Sequence, residues 1–352
     1  MHPANGVADR PLVAVVGGDT LLARELRELI GESKPAPRMQ LISATADGTA
    51  LLTEEDEEAV VMVPLSAHSL TGARVAFLAG SHASSRRAFK INPAGGPRLI
   101  DLTGALEEQP EARLRAPFAE APTEPAEARR PNAPDSAIQV IAHPAAIALA
   151  AILARIGQRY AIRRSIAQVF EPASERGQRG LDELQQQTVA VLSFQKLKTD
   201  VFDTQVAFNM LAQYGEEAIE PLELVEQRIE RHLASLLAAY PGFPVRTPMP
   251  SLRLVQAPVF HGHSFSIWIE FEENPSAKAL ASALSGAGIG GEIDVRPDEP
   301  PSNAGIAGHS GLSVGGIRAD RNHPRAMWIW MVADNLRIAA ENAIAVAKET
   351  ML

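Results

Sequence analysis

Residues 12–30, LVAVVGGDTLLARELRELI, constrain the fold more than any other stretch of the chain. Leu12 to Val16 is a short continuous apolar run, the pattern of a strand buried on both faces. Gly17-Gly18-Asp19-Thr20 turns the chain, and Leu22, Leu26, Leu29 and Ile30 then share one helical face. Strand, glycine turn and helix in this order open a doubly wound nucleotide-binding fold. The three-glycine fingerprint is incomplete: Gly17 and Gly18 are kept, while Thr20 and Ala23 stand where later glycines belong. Further strands are predicted at Gln40–Ala44, Val60–Val63, Arg74–Ala79 and Arg98–Leu102. After the second strand, Ala46 and Asp47 occupy the ribose-recognition turn. An NADP site places an arginine there, and Asp47 repels the 2′-phosphate instead. Residues 107–135, rich in Pro, Ala and Glu, read as an exposed loop.

A second constraint is SAIQVIAHPAAIALAAILARI, Ser136 to Ile156. Ile138 to Ile141 is a buried-strand pattern, His143-Pro144 breaks it, and an apolar helix is predicted from Ala145 or Ala146. A strand, a tight turn and a helix N-terminus can stabilise developing negative charge. The turn offers Ala145 and Ala146, which carry no reactive atom. Beyond it, Val189–Phe194 and Val206–Leu211 are apolar segments, and Pro221–Tyr240 is an amphipathic helix. Strands Leu252–Phe260, Phe265–Phe271 and Met327–Val332, with a small helix Ala277–Ala287, suit an α+β domain with an open sheet. The final helix is Asp334–Lys348. Trp268, Trp328 and Trp330 alternate with apolar neighbours at strand spacing and read as core or sheet packing. His261 and His263 fall two apart on one predicted strand; a metal needs further ligands, none is evident nearby, and no metal is expected.

A chain of 352 residues holds two ordinary domains, and 46% hydrophobic with 21% charged residues is a soluble globular composition. No apolar run approaches the roughly 20 residues of a membrane span, so no membrane partner is expected. The N-terminus has no signal-peptide pattern, which makes the cytoplasm the expected location. A net charge of -9 without a basic block argues against nucleic acid. The chain has no cysteine. Disulfides, thiolate metal sites and thiol nucleophiles are thereby excluded.

The order of motifs resembles the aspartate-semialdehyde dehydrogenase family. VAVVGGDTLLARELRELI resembles its opening strand and phosphate turn, and VAFLAGSHASSRRAF its second nucleotide-contacting turn. RLIDLTGALEE is similar to the D-N-S-S-A-F-R stretch, and FEPASERGQRGLDELQQQT to the segment that begins with the catalytic glutamine. RLVQAPVFHGHSFSIWIEFEE is similar to the strand carrying the substrate arginine and catalytic histidine, and GGIRADRNHPRAMWIWMVADNLRIAAENAIAVAK to the closing strand and helix. The resemblance covers nearly the whole chain. It implies a Rossmann-type NAD(P)-binding domain at 1–143, completed by helix 334–352, and an α+β dimerisation domain with an open mixed sheet at 144–333.

The resemblance also implies a chemistry: a cysteine acyl-enzyme, a histidine acid/base and arginines for carboxylate and phosphate. Carried over by position, the N-P-N-C turn falls on His143-Pro144-Ala145-Ala146, so Ala146 replaces the nucleophile. The glutamine falls on Glu171, and the S-G pair after it on Ser174-Glu175. The carboxylate arginine falls on Gln256, seven residues before His263, and the phosphate arginine on Glu107. Of these, only the histidine is kept, as His263. Cofactor contacts are expected from Gly17, Gly18, Asp19, Thr20, Leu21, Leu22, Ser174 and Asn335, with NAD or NADP binding weakened. The expectation is a homologue inactive in the family reaction that acts by binding. The alternative is an NAD(P)-dependent aspartate-semialdehyde dehydrogenase of amino-acid biosynthesis. A homodimer is expected, with a cysteine-bearing paralogue as the other candidate partner.

Overall fold

Strand β1 (Leu12–Val16) forms where five apolar residues run together, and four of them are buried. The computed structural model describes residues 10–44, 51–55, 58–120, 138–238, 247–286 and 288–351. Two compact units divide the chain: residues 1–117, 125–142 and 339–352, and residues 118–124 with 143–338.

In the first unit β1 is followed by α1 (Leu21–Glu32), β2 (Arg38–Ser43), β3 (Leu51–Glu55), β4 (Glu58–Pro64) and α2 (Ala67–Leu70). Then come β5 (Ala73–Leu78), α3 (His82–Ile91), β6 (Arg98–Asp101), β7 (Ala112–Arg115) and β8 (Ile138–Ile141). The eight-stranded sheet has the order β3-β4-β2-β1-β5-β6-β8-β7. All its pairs are parallel except β3 with β4. The chain leaves β1 first toward β2 and later returns to its other side at β5, which makes the C-terminal ends of β1 and β5 a topological switch point. Gly17 is required there. Its φ is 86°, and a Cβ would lie 2.3 Å from Cα of Gly80, in the turn after β5.

The second unit comprises α4 (Pro144–Gly157), β9 (Ile162–Glu171), α5 (Gly177–Leu192), α6 (Leu222–Ala238), β10 (Ser251–Gln256), β11 (His263–Phe271) and α7 (Ala277–Leu284). It continues through β12 (Ile293–Arg296), α8 (Asn303–Ile306), β13 (Leu312–Ala319) and β14 (Ala326–Ala333), and α9 (Asn335–Met351) starts in it and ends in the first unit. The six-stranded sheet β10-β9-β11-β14-β13-β12 is mixed, with parallel pairs at both edges and antiparallel pairs between. Trp268 is in register with Ile166 on one side and Trp328 on the other. The indole N–H groups of Trp268 and Trp328 both donate to Asp320, at 2.8 and 2.9 Å, and that of Trp330 donates to the Pro301 carbonyl at 2.9 Å.

α4 is apolar on every face, and every residue from Ala145 to Ile156 is buried. Such a helix needs neighbours all round. Arg155 is its one charge. Nη1 donates to the carbonyls of Ile289 and Gly291, both at 2.8 Å, and Nη2 donates to those of Ser285 and Gly286. One side chain thus ties together the carbonyls of Ser285, Gly286, Ile289 and Gly291. Replacing it with methionine keeps the aliphatic stem but leaves the buried Ile289 carbonyl without its donor, at about 1–3 kcal/mol. Arg155→Met is therefore expected to lose about 1–3 kcal/mol by urea unfolding; a loss below about 0.5 kcal/mol would show that these carbonyls do not depend on Arg155.

Buried polar side chains on α5 shape the long connection to α6. Glu183 accepts from the N–H groups of Val201 and Phe202, at 2.7 and 3.2 Å. Gln187 accepts from Val206 and Ala207, at 2.7 and 3.2 Å, and donates to the carbonyls of Lys198 and Thr204, at 2.8 and 2.9 Å. Val189, at the start of the apolar segment ending at Phe194, lies on this helix, which the sequence reading did not define.

Other expectations need correction. The loop read at 107–135 contains β7, a four-residue strand too short for its alternation to show, and it pairs with β8; residues 121–135 lie outside the described residues. The strand expected over Leu252–Phe260 ends at Gln256. The helix expected from Ala145 or Ala146 starts at Pro144, a residue suited to the first turn because it lacks an N–H. His261 and His263 do not share a strand, because Gly262, at φ 81°, turns the chain just before β11.

Candidate functional site

In the second unit, the N-terminus of α4, the C-terminal ends of β9 and β10 and the start of β11 bring the expected site residues together. His143 caps α4, its Nδ1 accepting from the Ala145 N–H at 3.2 Å. Its own N–H donates to Nδ1 of His232 on α6, at 2.9 Å. Ala146 is completely buried behind this cap. A short 3₁₀ turn, Ala173–Arg176, follows β9 and delivers two charged side chains into the same region. The Glu175 carboxylate lies 3.6 Å from Nε2 of His143 and 3.9 Å from Nε2 of His263. Asn335 holds it there, donating from Nδ2 at 2.9 Å.

Arg176 points the other way. Its guanidinium meets Glu171 at 2.9 Å and Glu220 at 3.6 Å, and lies over the ring of Tyr214. Glu220 is also paired with Arg228, at 2.5 Å. The Tyr214 hydroxyl donates to Oε1 of Gln256 at 2.6 Å. The Gln256 amide in turn donates to the carbonyls of Glu171 and Ala257, at 2.9 and 2.8 Å. Gln256 therefore presents a satisfied side chain where a carboxylate anchor was sought. Ser174 and Asn335, expected at the cofactor, bond to each other, and Oδ1 of Asn335 accepts from the Gly262 N–H at 3.1 Å.

Burial governs the electrostatics. It pushes the Glu171 carboxyl up to about 7 against the pull of Arg176 and His263. Glu175 is raised for the same reason, opposed by Arg176 and the Asn335 hydrogen bond. Burial lowers His263 to about 4 and, reinforced by His263, takes His143 well below its ordinary value. Both imidazoles are neutral at pH 7. Desolvation opposes the charge on Arg176, but Glu171, Tyr214 and Glu220 outweigh it and hold the guanidinium protonated. Ten buried side-chain atoms among the described residues have no hydrogen-bond partner, and seven belong to this cluster: two each on Glu171, Arg176 and His263, and one on Arg228.

The remaining expected residues lie in the first unit. Glu107 is half-buried in the turn after β6, its N–H donating to the Gly104 carbonyl. At the glycine turn, the N–H groups of both Gly17 and Gly18 donate to the Ile42 carbonyl, at 2.8 and 3.2 Å. Thr20 caps α1, accepting from Ala23 N–H, and donates to the Gly17 and Ala79 carbonyls. Two amides expected to cradle phosphate are thus engaged within the sheet. Leu21 and Leu22 open α1, and Asp19 is exposed just before it. Ala46 and Asp47 lie outside the described residues. No cluster of three or more potential metal ligands occurs among the described residues, and none of their helices is long and apolar enough to cross a membrane.

Sequence reasoning missed Arg176, Tyr214, Glu220, Arg228 and His232. Arg176 left a signal: two adjacent charges, Glu175-Arg176, stand where the resembled segment has its S-G pair and the residue after it. Tyr214 and Glu220 left none, because their role depends on a loop whose path the sequence does not specify.

Over nearly its whole length the chain is similar to known proteins. It is 29% identical to a "USG-1 protein homolog" of Pseudomonas aeruginosa over 336 residues, covering 94% of this chain and 95% of that one. It is 25% identical to an aspartate-semialdehyde dehydrogenase of Prochlorococcus marinus over 354 residues, covering 97% and 96%. Among solved structures, a probable aspartate-semialdehyde dehydrogenase from Pseudomonas aeruginosa superposes with a TM-score of 0.81 at 26% identity, covering 97% of this chain and 99% of that one. Residues 153–338 match the family model "Semialdehyde dehydrogenase, dimerisation domain". Since that match takes in more than half of the 352 residues, the chain belongs to the semialdehyde dehydrogenase family.

Proposed function

We propose that this protein is a non-catalytic member of its family, acting by binding rather than by the acyl-enzyme reaction. The observation that carries this reading is Ala146: it stands where the resemblance puts the nucleophile, in a chain with no cysteine at all. Alanine offers no lone pair, and no serine stands in the turn to replace it. The surroundings support the same reading. Glu175 fills the space in front of the two imidazoles, and Gln256 has its hydrogen bonds satisfied inside the fold. His263, kept from the resemblance, is neutral and has no nucleophile to serve.

Nucleotide binding is weak in this reading, because both glycine amides are engaged by Ile42 and Asp47 replaces a 2′-phosphate partner. The protein assembles as a homodimer through the mixed sheet, whose strands β11 and β14 carry the apolar runs, with Ile166 of β9 exposed beside them. A cysteine-bearing paralogue presenting a similar face is the second candidate partner.

The test is the phosphate-dependent oxidation of aspartate semialdehyde, followed by NADPH absorbance, with NADP titrated calorimetrically in parallel. The expected result is turnover indistinguishable from a blank, and no NADP affinity in the low micromolar range. Turnover that survives removal of trace host enzyme would overturn the non-catalytic reading; tight NADP binding without turnover would overturn only the nucleotide part.

A further inference from the structure

We infer that Arg176 is the centre of a binding site for a small monocarboxylate, and that Glu171 is its tethered occupant, a ligand supplied by the chain itself. This goes beyond the non-catalytic reading and rests on it, since it explains how the site stays closed without a bound molecule.

The two side chains are 8% and 0% exposed and meet at 2.9 Å. They meet as charges without hydrogen-bond alignment: both Glu171 oxygens and the Nε and Nη2 atoms of Arg176 lack hydrogen-bond partners. A buried pair that serves only stability has its remaining donors and acceptors satisfied, because desolvating two charges otherwise exceeds their attraction. The walls are built for an anion held by a guanidinium. The Tyr214 ring lies under Arg176, Glu220 balances it from 3.6 Å, and Gln256 locks Tyr214 and the end of β9 in place. Glu171 is the last residue of β9, and its backbone is fixed twice, its carbonyl accepting from the Gln256 amide and from the Ala257 N–H at 3.0 Å. The sheet thus delivers one carboxylate to one guanidinium.

The neighbouring His143–Glu175–His263 group fits a metal less well. Nδ1 of His143 accepts the Ala145 N–H, so in the neutral ring Nε2 carries the proton and presents no lone pair toward Glu175.

Glu171→Ala deletes four heavy atoms, a methylene carbon and a carboxylate, and acetate has the same four. The experiment compares thermal unfolding of the full chain at pH 8 in 100 mM sodium acetate and 100 mM sodium chloride. At that pH Glu171, raised to about 7, is mostly ionised in the wild type. Glu171→Ala is expected to unfold about 2–3 °C higher in acetate than in chloride, the shift for a ligand present at about ten times its Kd. Wild type, Glu171→Gln and the double variant Glu171→Ala/Arg176→Met are expected to show equal midpoints in the two salts. A folded Glu171→Ala with no acetate-specific gain overturns the inference, as does an equal gain in wild type or the double variant. Should Glu171→Ala fail to fold in chloride, recovery by refolding in acetate supports it and failure in both salts overturns it. Turnover of aspartate semialdehyde by wild type is a separate readout and would sink the non-catalytic reading without touching the acetate response.

Discussion

Ala146→Cys is expected to give no measurable turnover and, in the native state, only slow reaction with thiol reagents. The position is fully buried beneath the His143 cap, so a thiol placed there is shielded although it sits at a helix start. A nucleophile is also only one part of the reaction, since the substrate must be held for attack. Gln256 and Glu107 supply no guanidinium, and truncating one partner of a buried charged pair costs about 2–5 kcal/mol. Two missing anchors place the single variant about 10³-fold or more below an intact site. The Glu175 side chain stands in the way as well. Activity is expected only when Ala146→Cys is joined by Glu175→Gly, Glu171→Gln, Gln256→Arg and Glu107→Arg, with folding checked by circular dichroism. Substantial steady-state turnover from Ala146→Cys alone would mean that the roles assigned to positions 107, 175 and 256 are wrong.

The second large effect is a change in the sign of the pH dependence of stability. His263, lowered to about 4, binds its proton more readily in the unfolded chain, whose histidines titrate near 6.5. Acidification through that window therefore destabilises the fold, and His143 acts in the same direction. Glu171, raised to about 7, takes up its proton first in the folded state, so acidification from pH 7 toward 4.5 stabilises it, and Glu175 adds to this. The two tendencies oppose each other over nearly the same range, and the wild-type midpoint is expected to change little between pH 7 and 5. His263→Gln removes one of them and is expected to become more stable on acidification. Glu171→Gln removes the other and is expected to lose about 2 kcal/mol over the same two pH units, or roughly 3–5 °C. Parallel pH profiles for the wild type and both variants would show that neither group titrates as its burial dictates.

The parts of the fold that the sequence disclosed are those where one period dominates. β1, β8, α1 and α6 are long or uniformly apolar enough for their pattern to survive, and α4 was legible because it is apolar on all sides. β9 was passed over: its ten residues include the exposed Arg163, Arg164 and Gln168, which read as a polar segment until a sheet is known to hold them. The same distinction holds for the site. Ala146, Glu171, Gln256 and His263 were found by position within a resembled motif, and the structure gathers them into one unit. Which of them faces an open space was not legible. The satisfied amide of Gln256 depends on Tyr214, 42 residues away, and no local pattern announces that hydrogen bond. Nor does the pair Gly17-Gly18 reveal that both its amides turn inward to Ile42.

The connection between α5 and α6 has a dynamic consequence. Its amides at Val201, Phe202, Val206 and Ala207 are bonded to the Glu183 and Gln187 side chains, so each can exchange its proton with solvent only when that grip is released. The irregular segment and the helix should therefore open as one cooperative unit, with protection in the loop matching that of the helix core. Phe194 and Phe208, which flank these amides and are 98% and 62% exposed, are carried on a connection as persistent as the helix that holds it.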